Sequence, residues 1–98
     1  MIDVDAGDLK TIQGILKKYI PGLEVRAFGS RVLGSAKVYS DLDLAVVSQS
    51  QLDPVVLINL KEAFQESRLP FRVDVIDWQS ISTGFQKIIN QNYVVIAK

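Results

Sequence analysis

The feature that most constrains this chain is a pair of acids, Asp41 and Asp43, inside the apolar segment DLDLAVV. The β-branched and aliphatic residues of this segment predict a buried strand, and residues i and i+2 of a strand point to the same face. Two neighbouring carboxylates repel each other unless a cation lies between them. Mg²⁺ or Mn²⁺ would suit such a pair and would leave coordination positions for phosphate oxygens. We therefore expect a sheet that carries a metal and phosphate site at this strand.

A Gly-Ser pair, Gly29 and Ser30, precedes the acids, with ten residues between Ser30 and Asp41. The segment LEVRAF, residues 23–28, predicts a strand that ends at Gly29, where the missing side chain permits a close approach of backbone to ligand. Ser30 is the predicted N-cap of a short helix, and the free N–H groups of a helix start attract anions. The Gly-Ser pair and the two acids together predict a cradle for a triphosphate.

A third acid, Asp74, lies inside the strand-like segment FRVDVID, residues 71–77. An acid in an apolar strand is costly unless it is paired or bound to a metal, so Asp74 is a candidate third carboxylate. The alternative is a salt bridge from Asp74 to Arg26 or Arg72. Asp77 has the opposite parity and is better explained as a turn or helix cap.

Two further polar residues are candidates for nucleotide binding. Arg31 directly follows Ser30 at the predicted helix start. Its side chain could contact a phosphate or pair with an acid on the surface, and the sequence leaves both alternatives open. Ser40 adjoins Asp41 and is a candidate for support of the site, although it could simply close a turn. Lys37 is best explained as surface charge.

The order of strand, Gly-Ser pair, short helix and Asp-x-Asp strand resembles the nucleotidyltransferase superfamily of DNA polymerase β-like enzymes. The paired motifs are matched by Gly29, Ser30, Asp41 and Asp43. The family's third acid, within an apolar-Asp-apolar triplet, is matched by Val73-Asp74-Val75, and flanking positions are matched by Arg31, Gly34, Ser40 and Leu44. The short length makes the chain most similar to the minimal nucleotidyltransferase (MNT) domains, which are usually encoded beside a HEPN-domain partner.

This resemblance implies a nucleotidyltransferase fold and a metal-dependent reaction. Asp41, Asp43 and Asp74 would hold two Mg²⁺ ions, and Gly29 and Ser30 would hold the β- and γ-phosphates of a nucleoside triphosphate, with ATP expected. An acceptor hydroxyl would attack the α-phosphate, and pyrophosphate would leave. For the MNT group the implied acceptor is a tyrosine of the HEPN partner, whose ribonuclease activity is silenced by adenylylation. The chain would thus be an antitoxin.

Two alternatives to this function stay open. The chain could be the catalytic half of a two-chain enzyme that modifies a small molecule, or a non-catalytic antitoxin that blocks its partner by binding alone. The complete set of acids and the Gly-Ser pair argue against the second alternative. The sequence does not distinguish the first from protein adenylylation, because the two differ only in the acceptor.

Composition limits the other classes of function. At 98 residues we expect a single domain, residues 1–98, without a second core. Eleven basic residues balance 11 acidic ones, so bulk electrostatic binding of nucleic acid is not expected. Without cysteine or histidine, proton transfer must use carboxylates or solvent. No membrane-length apolar run or signal peptide is present, and we infer a cytoplasmic protein.

The remaining segments complete a small α/β (α+β) domain, in which a mixed sheet is flanked by helices. Apolar residues at helical spacing predict a first helix that is capped by Asp5 or Asp8 and ends at Pro21-Gly22. A helix that starts at Asp53-Pro54 should follow the acid pair, and a last helix should precede the extended tail YVVIA, residues 93–97. The tail could extend the sheet, or form an exposed edge for self-association or partner docking.

Overall fold

The computed structural model describes residues 2–98 and contains four strands and four α-helices in this range. In chain order these are α1 (Ala6–Tyr19), β1 (Glu24–Phe28), α2 (Ser30–Leu33), β2 (Leu42–Val47), α3 (Pro54–Gln65), β3 (Val73–Asp77), α4 (Thr83–Gln91) and β4 (Val94–Ala97). A short 3-10 turn, Trp78–Ser80, links β3 to α4. The predicted class, a small mixed sheet flanked by helices, is confirmed. No helix in residues 2–98 is long and apolar enough to cross a membrane.

The four strands form one sheet in the order β3-β2-β1-β4. β1 pairs antiparallel with both β2 and β4, whereas β2 and β3 run parallel. The parallel pair needs a crossover connection, and α3 supplies it. The C-terminal tail extends the sheet as β4, so that β3 and β4 are the two edge strands.

One face of the sheet is closed by α1 and α3, which contact each other across it. Alternate residues of each strand point to this face, as strand geometry requires. The buried residues of this core are Ile12, Leu16, Ile20, Val25, Ala27, Leu42, Leu44, Val46, Leu60, Phe64, Val75 and Ile96. The opposite parity places Phe28, Asp43 and Asp74 on the other face, where the acids avoid the apolar core.

Helix starts follow the predicted capping chemistry in two helices. Asp5 accepts a hydrogen bond from the Gly7 amide at the start of α1, and Asp53 accepts one from the Val55 amide at the start of α3, each at 2.8 Å. Pro54 occupies the first turn of α3, where its missing N–H costs no helical hydrogen bond. These carboxylates satisfy amides that would otherwise have no partner within the helix.

Asp77, at the end of β3, is buried although it is charged. Its carboxylate accepts hydrogen bonds from the backbone amides of Leu52 at 2.8 Å and Gln79 at 3.1 Å. The Ser80 hydroxyl also donates to it. The predicted capping role of Asp77 is confirmed, and Asp77 additionally ties the loop before α3 to the end of β3.

We predict that Asp77→Ala lowers the free energy of unfolding by about 2–4 kcal/mol, because two part-buried amides lose a charged acceptor. Asp53→Ala, which removes an exposed helix cap, should cost only about 1 kcal/mol. Urea denaturation of both variants measures the difference. Equal losses in the two variants would contradict the linking role assigned to Asp77.

Candidate active site

The carboxylates of Asp43 and Asp74 are neighbours across the parallel pair of strands. Asp43 is aligned with Asp74 on β3 and with Phe28 on β1, so that the three side chains form one row on the sheet face opposite α1 and α3. Asp74 is exposed, while Asp43 is half-buried. The register of the sheet therefore places Asp74 beside Asp43, one member of the acid pair.

Gly29 allows the Asp43 carboxylate to lie directly against the end of β1. A Cβ atom on Gly29 would overlap the Asp43 Oδ2 atom and would come within 3.2 Å of the Asp43 carboxyl carbon. Gly29 also adopts φ 81° and ψ −158°, a conformation that is essentially restricted to glycine. The glycine of the Gly-Ser pair is thus required by the neighbouring acid as well as by backbone conformation.

Electrostatic repulsion is built into this cluster. Burial raises the pKa of Asp43 above its ordinary value, and the charges of Asp74 and Asp41 raise this pKa further. Ionised Asp43 therefore lacks compensation within the protein. Hard carboxylate oxygens that repel one another suit a divalent cation with oxygen preference, so the donor set fits the predicted metal.

Asp41 lies one residue before β2 rather than within it, which corrects the predicted start of this strand. Its carboxylate pairs with the exposed Arg72 side chain at 3.8 Å. Within residues 2–98, no three acidic side chains are already gathered closely enough to share one ion. Because Asp41 and Asp74 are exposed, rotation of their side chains could bring their oxygens towards Asp43 without disturbing the core.

Ser30 is the first residue of α2, and the N-cap position belongs to Gly29, which offers no side-chain cap. The prediction that Ser30 is the N-cap was wrong, because it did not anticipate the positive φ of Gly29. Across residues 2–98, the structure shows no hydrogen bond made by the Ser30 hydroxyl. Carbonyl oxygens of Gly29 and Ser30 accept the hydrogen bonds that close α2. The Ser30 hydroxyl therefore remains available to a ligand.

Arg31 lies in the first turn of α2, as predicted, but its side chain is buried. Its guanidinium donates to the backbone carbonyls of Asp3 at 2.9 Å, Val38 at 3.1 Å and Ser40 at 2.9 Å, and lies 4.2 Å from the centre of the Phe71 ring. Each of the three guanidinium nitrogens thus donates to the backbone, and within residues 2–98 Arg31 forms no salt bridge with a surface acid. Phosphate binding by Arg31 stays a prediction. Its role is to fix the loop that leads to Asp41.

Ser40 completes this loop rather than contacting an acid. Its hydroxyl accepts a hydrogen bond from the Lys37 amide at 2.8 Å, and its own amide donates to the Lys37 carbonyl. Ser40 therefore closes a turn immediately before Asp41. Of the predicted nucleotide-binding residues, Gly29 lies against Asp43, and Ser30 follows Gly29 directly in the chain.

The alternative explanation of Asp74, a structural salt bridge, is not observed. Arg72 pairs with Asp41, and Arg26 pairs with Glu24. The Arg26 guanidinium also donates to Asn90 and lies between two aromatic rings, those of Trp78 and Tyr93. Neither arginine is thus paired with Asp74, and this acid is free to act on a ligand.

Sequence reasoning missed an apolar cavity of about 270 Å³ beside Gly29. Its walls include Phe28, Leu33, Phe85 and Ile88, and the rings of Phe28 and Phe85 pack edge to face at 5.8 Å. The sequence could have placed Phe28 on the same face of the sheet as Asp43, because strand alternation fixes both side chains. It could not have predicted that α4 approaches this end of β1, because that contact depends on tertiary packing.

We predict that Asp43→Asn stabilises the metal-free protein near neutral pH. Because the pKa of Asp43 is higher in the folded protein than in the unfolded chain, the protonated carboxyl favours folding and the ionised carboxylate opposes it. The stabilisation by the protonated carboxyl is fully present below the pKa of the unfolded chain and is lost as pH rises through the pKa of the folded protein. Thermal melting in EDTA should show a gain over the unsubstituted protein that shrinks as pH falls towards 3.8. Asp8→Asn, which removes a favourable charge from the first turn of α1, should show no gain. A pH-independent gain in Asp43→Asn would contradict this assignment.

Comparison with known proteins identifies the family. The family model "Polymerase beta, Nucleotidyltransferase" matches residues 10–98. A protein of Haemophilus influenzae described as a probable protein adenylyltransferase, MntA, is 50% identical over 95 residues, which make up 97% of this chain and 83% of that protein.

Solved structures agree with this comparison. A crystal structure of a toxin-antitoxin with AMP-PNP has a TM-score of 0.75 and 28% identity, with 91% of this chain and 72% of the other covered. A Shewanella oneidensis complex of a tri-AMPylated HEPN toxin with an MNT antitoxin has a TM-score of 0.67 and 28% identity, with coverage of 91% and 68%. With its sheet, its Gly-Ser turn and its acids in the predicted order, the chain belongs to the polymerase β nucleotidyltransferase family, in its MNT group, and is a nucleotidyltransferase.

Proposed function

We propose that this chain transfers AMP from ATP to a hydroxyl group of a HEPN-domain partner protein, and that it thereby acts as the antitoxin of a toxin-antitoxin pair. The observation that carries the proposal is the position of Asp43. Its carboxylate lies beside Asp74 of the neighbouring strand β3 and against the Gly29 backbone at the end of β1. The names of its relatives support the class of donor and acceptor, since they include a protein adenylyltransferase and an AMPylated HEPN toxin. Because ATP is the proposed donor, we place the reaction in the cytoplasm. We assign the activity to residues 1–98 as one MNT domain.

The donor side of the proposed site consists of Gly29 and Ser30. The Ser30 hydroxyl and the free amides at the start of α2 would donate hydrogen bonds to the β- and γ-phosphate oxygens of ATP. The absence of a side chain on Gly29 keeps this approach open next to Asp43. These contacts would hold the triphosphate so that its α-phosphate faces the acids.

The acids form the metal side of the proposed site. Enzymes of this family use divalent metal ions, and we propose that Asp41, Asp43 and Asp74 hold two Mg²⁺ ions. When bound, these ions would neutralise the phosphate charge and polarise the α-phosphate. The positive charge of the ions would also offset the burial and the neighbouring acids that raise the pKa of Asp43.

Asp74 is the residue best placed to serve the acceptor. Its side chain is more exposed than those of Asp43 and Phe28 in the same row. It lies on an edge strand and has no salt bridge within the described residues. In the proposed step the acceptor oxygen forms a bond to the α-phosphorus, and the bond from that phosphorus to the bridging oxygen of pyrophosphate breaks. The hydroxyl proton passes to Asp74 or to solvent, since the chain has no histidine to receive it.

The reaction is tested by incubating the chain and its HEPN-domain partner with ATP labelled at the α- or γ-position. We expect label on the partner from the α-position only, and Asp74→Asn should reduce its transfer by at least about 100-fold, in the range of a lost general base, while the complex stays intact. Asp8→Asn serves as the matched control on a distant acid.

Other outcomes would assign other functions. Label from the γ-position alone would refute nucleotidyl transfer. Inhibition of the partner without any label would indicate an antitoxin that acts by binding. Label found only on a small molecule would indicate the two-chain enzyme considered above.

Ser30→Ala should weaken Mg²⁺-dependent ATP binding by roughly tenfold, as expected for one lost hydrogen bond to a charged group. Its melting temperature should stay within about 1–2 °C of the unsubstituted protein, because its hydroxyl caps no helix. Isothermal calorimetry with ATP and Mg²⁺ measures the affinity. Ser35→Ala, an exposed serine after α2, is the control. Unchanged ATP affinity in Ser30→Ala would remove Ser30 from the phosphate site.

A further inference from the structure

The β3 strand leaves one side of its backbone unpaired. β3 is an edge strand whose neighbour in the sheet is β2. The Leu42 amide donates to the Arg72 carbonyl at 2.9 Å, which fixes the parity of the ladder. In a parallel ladder, residues of one parity bond to the neighbouring strand, so the N–H and C=O groups of Val73 and Val75 point outwards.

A groove of about 370 Å³ runs along this edge, between β3 and α3. Five consecutive residues, 71–75, line it. Side chains of a strand alternate between the two faces, so a groove lined by both parities must follow the edge of the strand rather than one face. Lys61 and Gln65 of α3 form the opposite wall, and Asp74 lies at the groove.

The second edge of the sheet has no comparable relation to the site. β4 pairs with β1, and β1 separates it from β2 and β3, the strands that carry Asp43 and Asp74. A segment bound along β4 would therefore be two strands away from Asp43. A segment bound along β3 would run directly past Asp74.

The charges along the groove favour one kind of occupant. Lys61 and Arg72 are exposed cations, and Asp74 is the single acid among the lining residues. Within residues 2–98, Lys61 has no salt bridge. A segment with an acidic side chain would therefore complement Lys61.

We propose that the acceptor protein binds through an extended segment that adds to the β3 edge as a fifth strand, with an acidic side chain near Lys61 and the modified hydroxyl at Asp74. This proposal rests on the function proposed above and identifies where its acceptor docks. Backbone hydrogen bonds to Val73 and Val75 provide affinity, and the groove beside α3 provides selectivity. The segment thereby enters on the Asp74 side of the row, away from Gly29.

The docking mode is tested directly by amide hydrogen exchange of the full chain, with and without the HEPN-domain partner and without nucleotide. The Val73 amide should exchange at least about tenfold more slowly in the complex, since strand addition gives it an acceptor. The amides of β4, on the opposite edge, are the internal control. A stable complex in which Val73 keeps its exchange rate, or in which the β4 amides are protected instead, overturns the proposal.

The charge requirement is tested by Lys61→Glu, with Lys87→Glu on the exposed surface of α4 as the matched control. Lys61→Glu should raise the KM for the partner roughly tenfold, because a like charge now faces the acidic side chain. ATP affinity measured by calorimetry should stay unchanged in both variants. An unchanged KM in Lys61→Glu overturns the assignment of an acidic segment to this groove.

These measurements separate the two proposals. Label transfer from α-labelled ATP without protection of Val73 leaves the function standing and overturns the docking mode. Protection of Val73 without label transfer leaves the docking mode standing and overturns the enzymatic function. Absence of both overturns both.

Discussion

The close approach of Gly29 to Asp43 is the constraint on which the rest of the site depends. Any side chain at residue 29 would overlap the Asp43 carboxylate, and its backbone conformation is essentially restricted to glycine. This single contact fixes the start of α2, and with it the Ser30 hydroxyl, relative to the acid on β2. Two motifs that are separated in sequence thus become one site through the antiparallel pairing of β1 with β2, in which Phe28 lies opposite Asp43.

This arrangement places like charges together at a cost to the free protein. Burial and the neighbouring acids raise the pKa of Asp43, so the ionised site is destabilising until a cation or ligand compensates for it. Burial of apolar residues on the opposite face of the sheet offsets this loss of stability, because the strands and helices α1 and α3 enclose a core without charged residues. A small domain can therefore keep a repulsive cluster at its surface while burying its apolar residues on the other face.

Local patterns were sufficient to predict much of this structure. Alternation predicted which side of its own strand each of Asp43 and Asp74 occupies, and the family resemblance grouped the two acids. The Asp53-Pro54 pair located the start of α3. The predicted helix cap at Ser30 was wrong, and the contacts of Arg31 were missed, for physical reasons that the sequence does not contain. The N-cap position depended on the positive φ of Gly29, and the role of Arg31 depended on carbonyl groups that only tertiary folding brings together. The cavity beside Phe28 and the groove along β3 likewise arise from packing between distant segments.

The role of Arg31 explains how an acid outside the sheet can still be positioned. Asp41 precedes β2, so no ladder hydrogen bond of that strand holds it. The buried guanidinium instead fixes the carbonyls of Val38 and Ser40, and Ser40 closes the turn immediately before Asp41. This cation thus acts on the geometry of the loop before Asp41. Because its charge is directed at backbone carbonyls, it does not neutralise the carboxylate row, which keeps its capacity for a divalent metal.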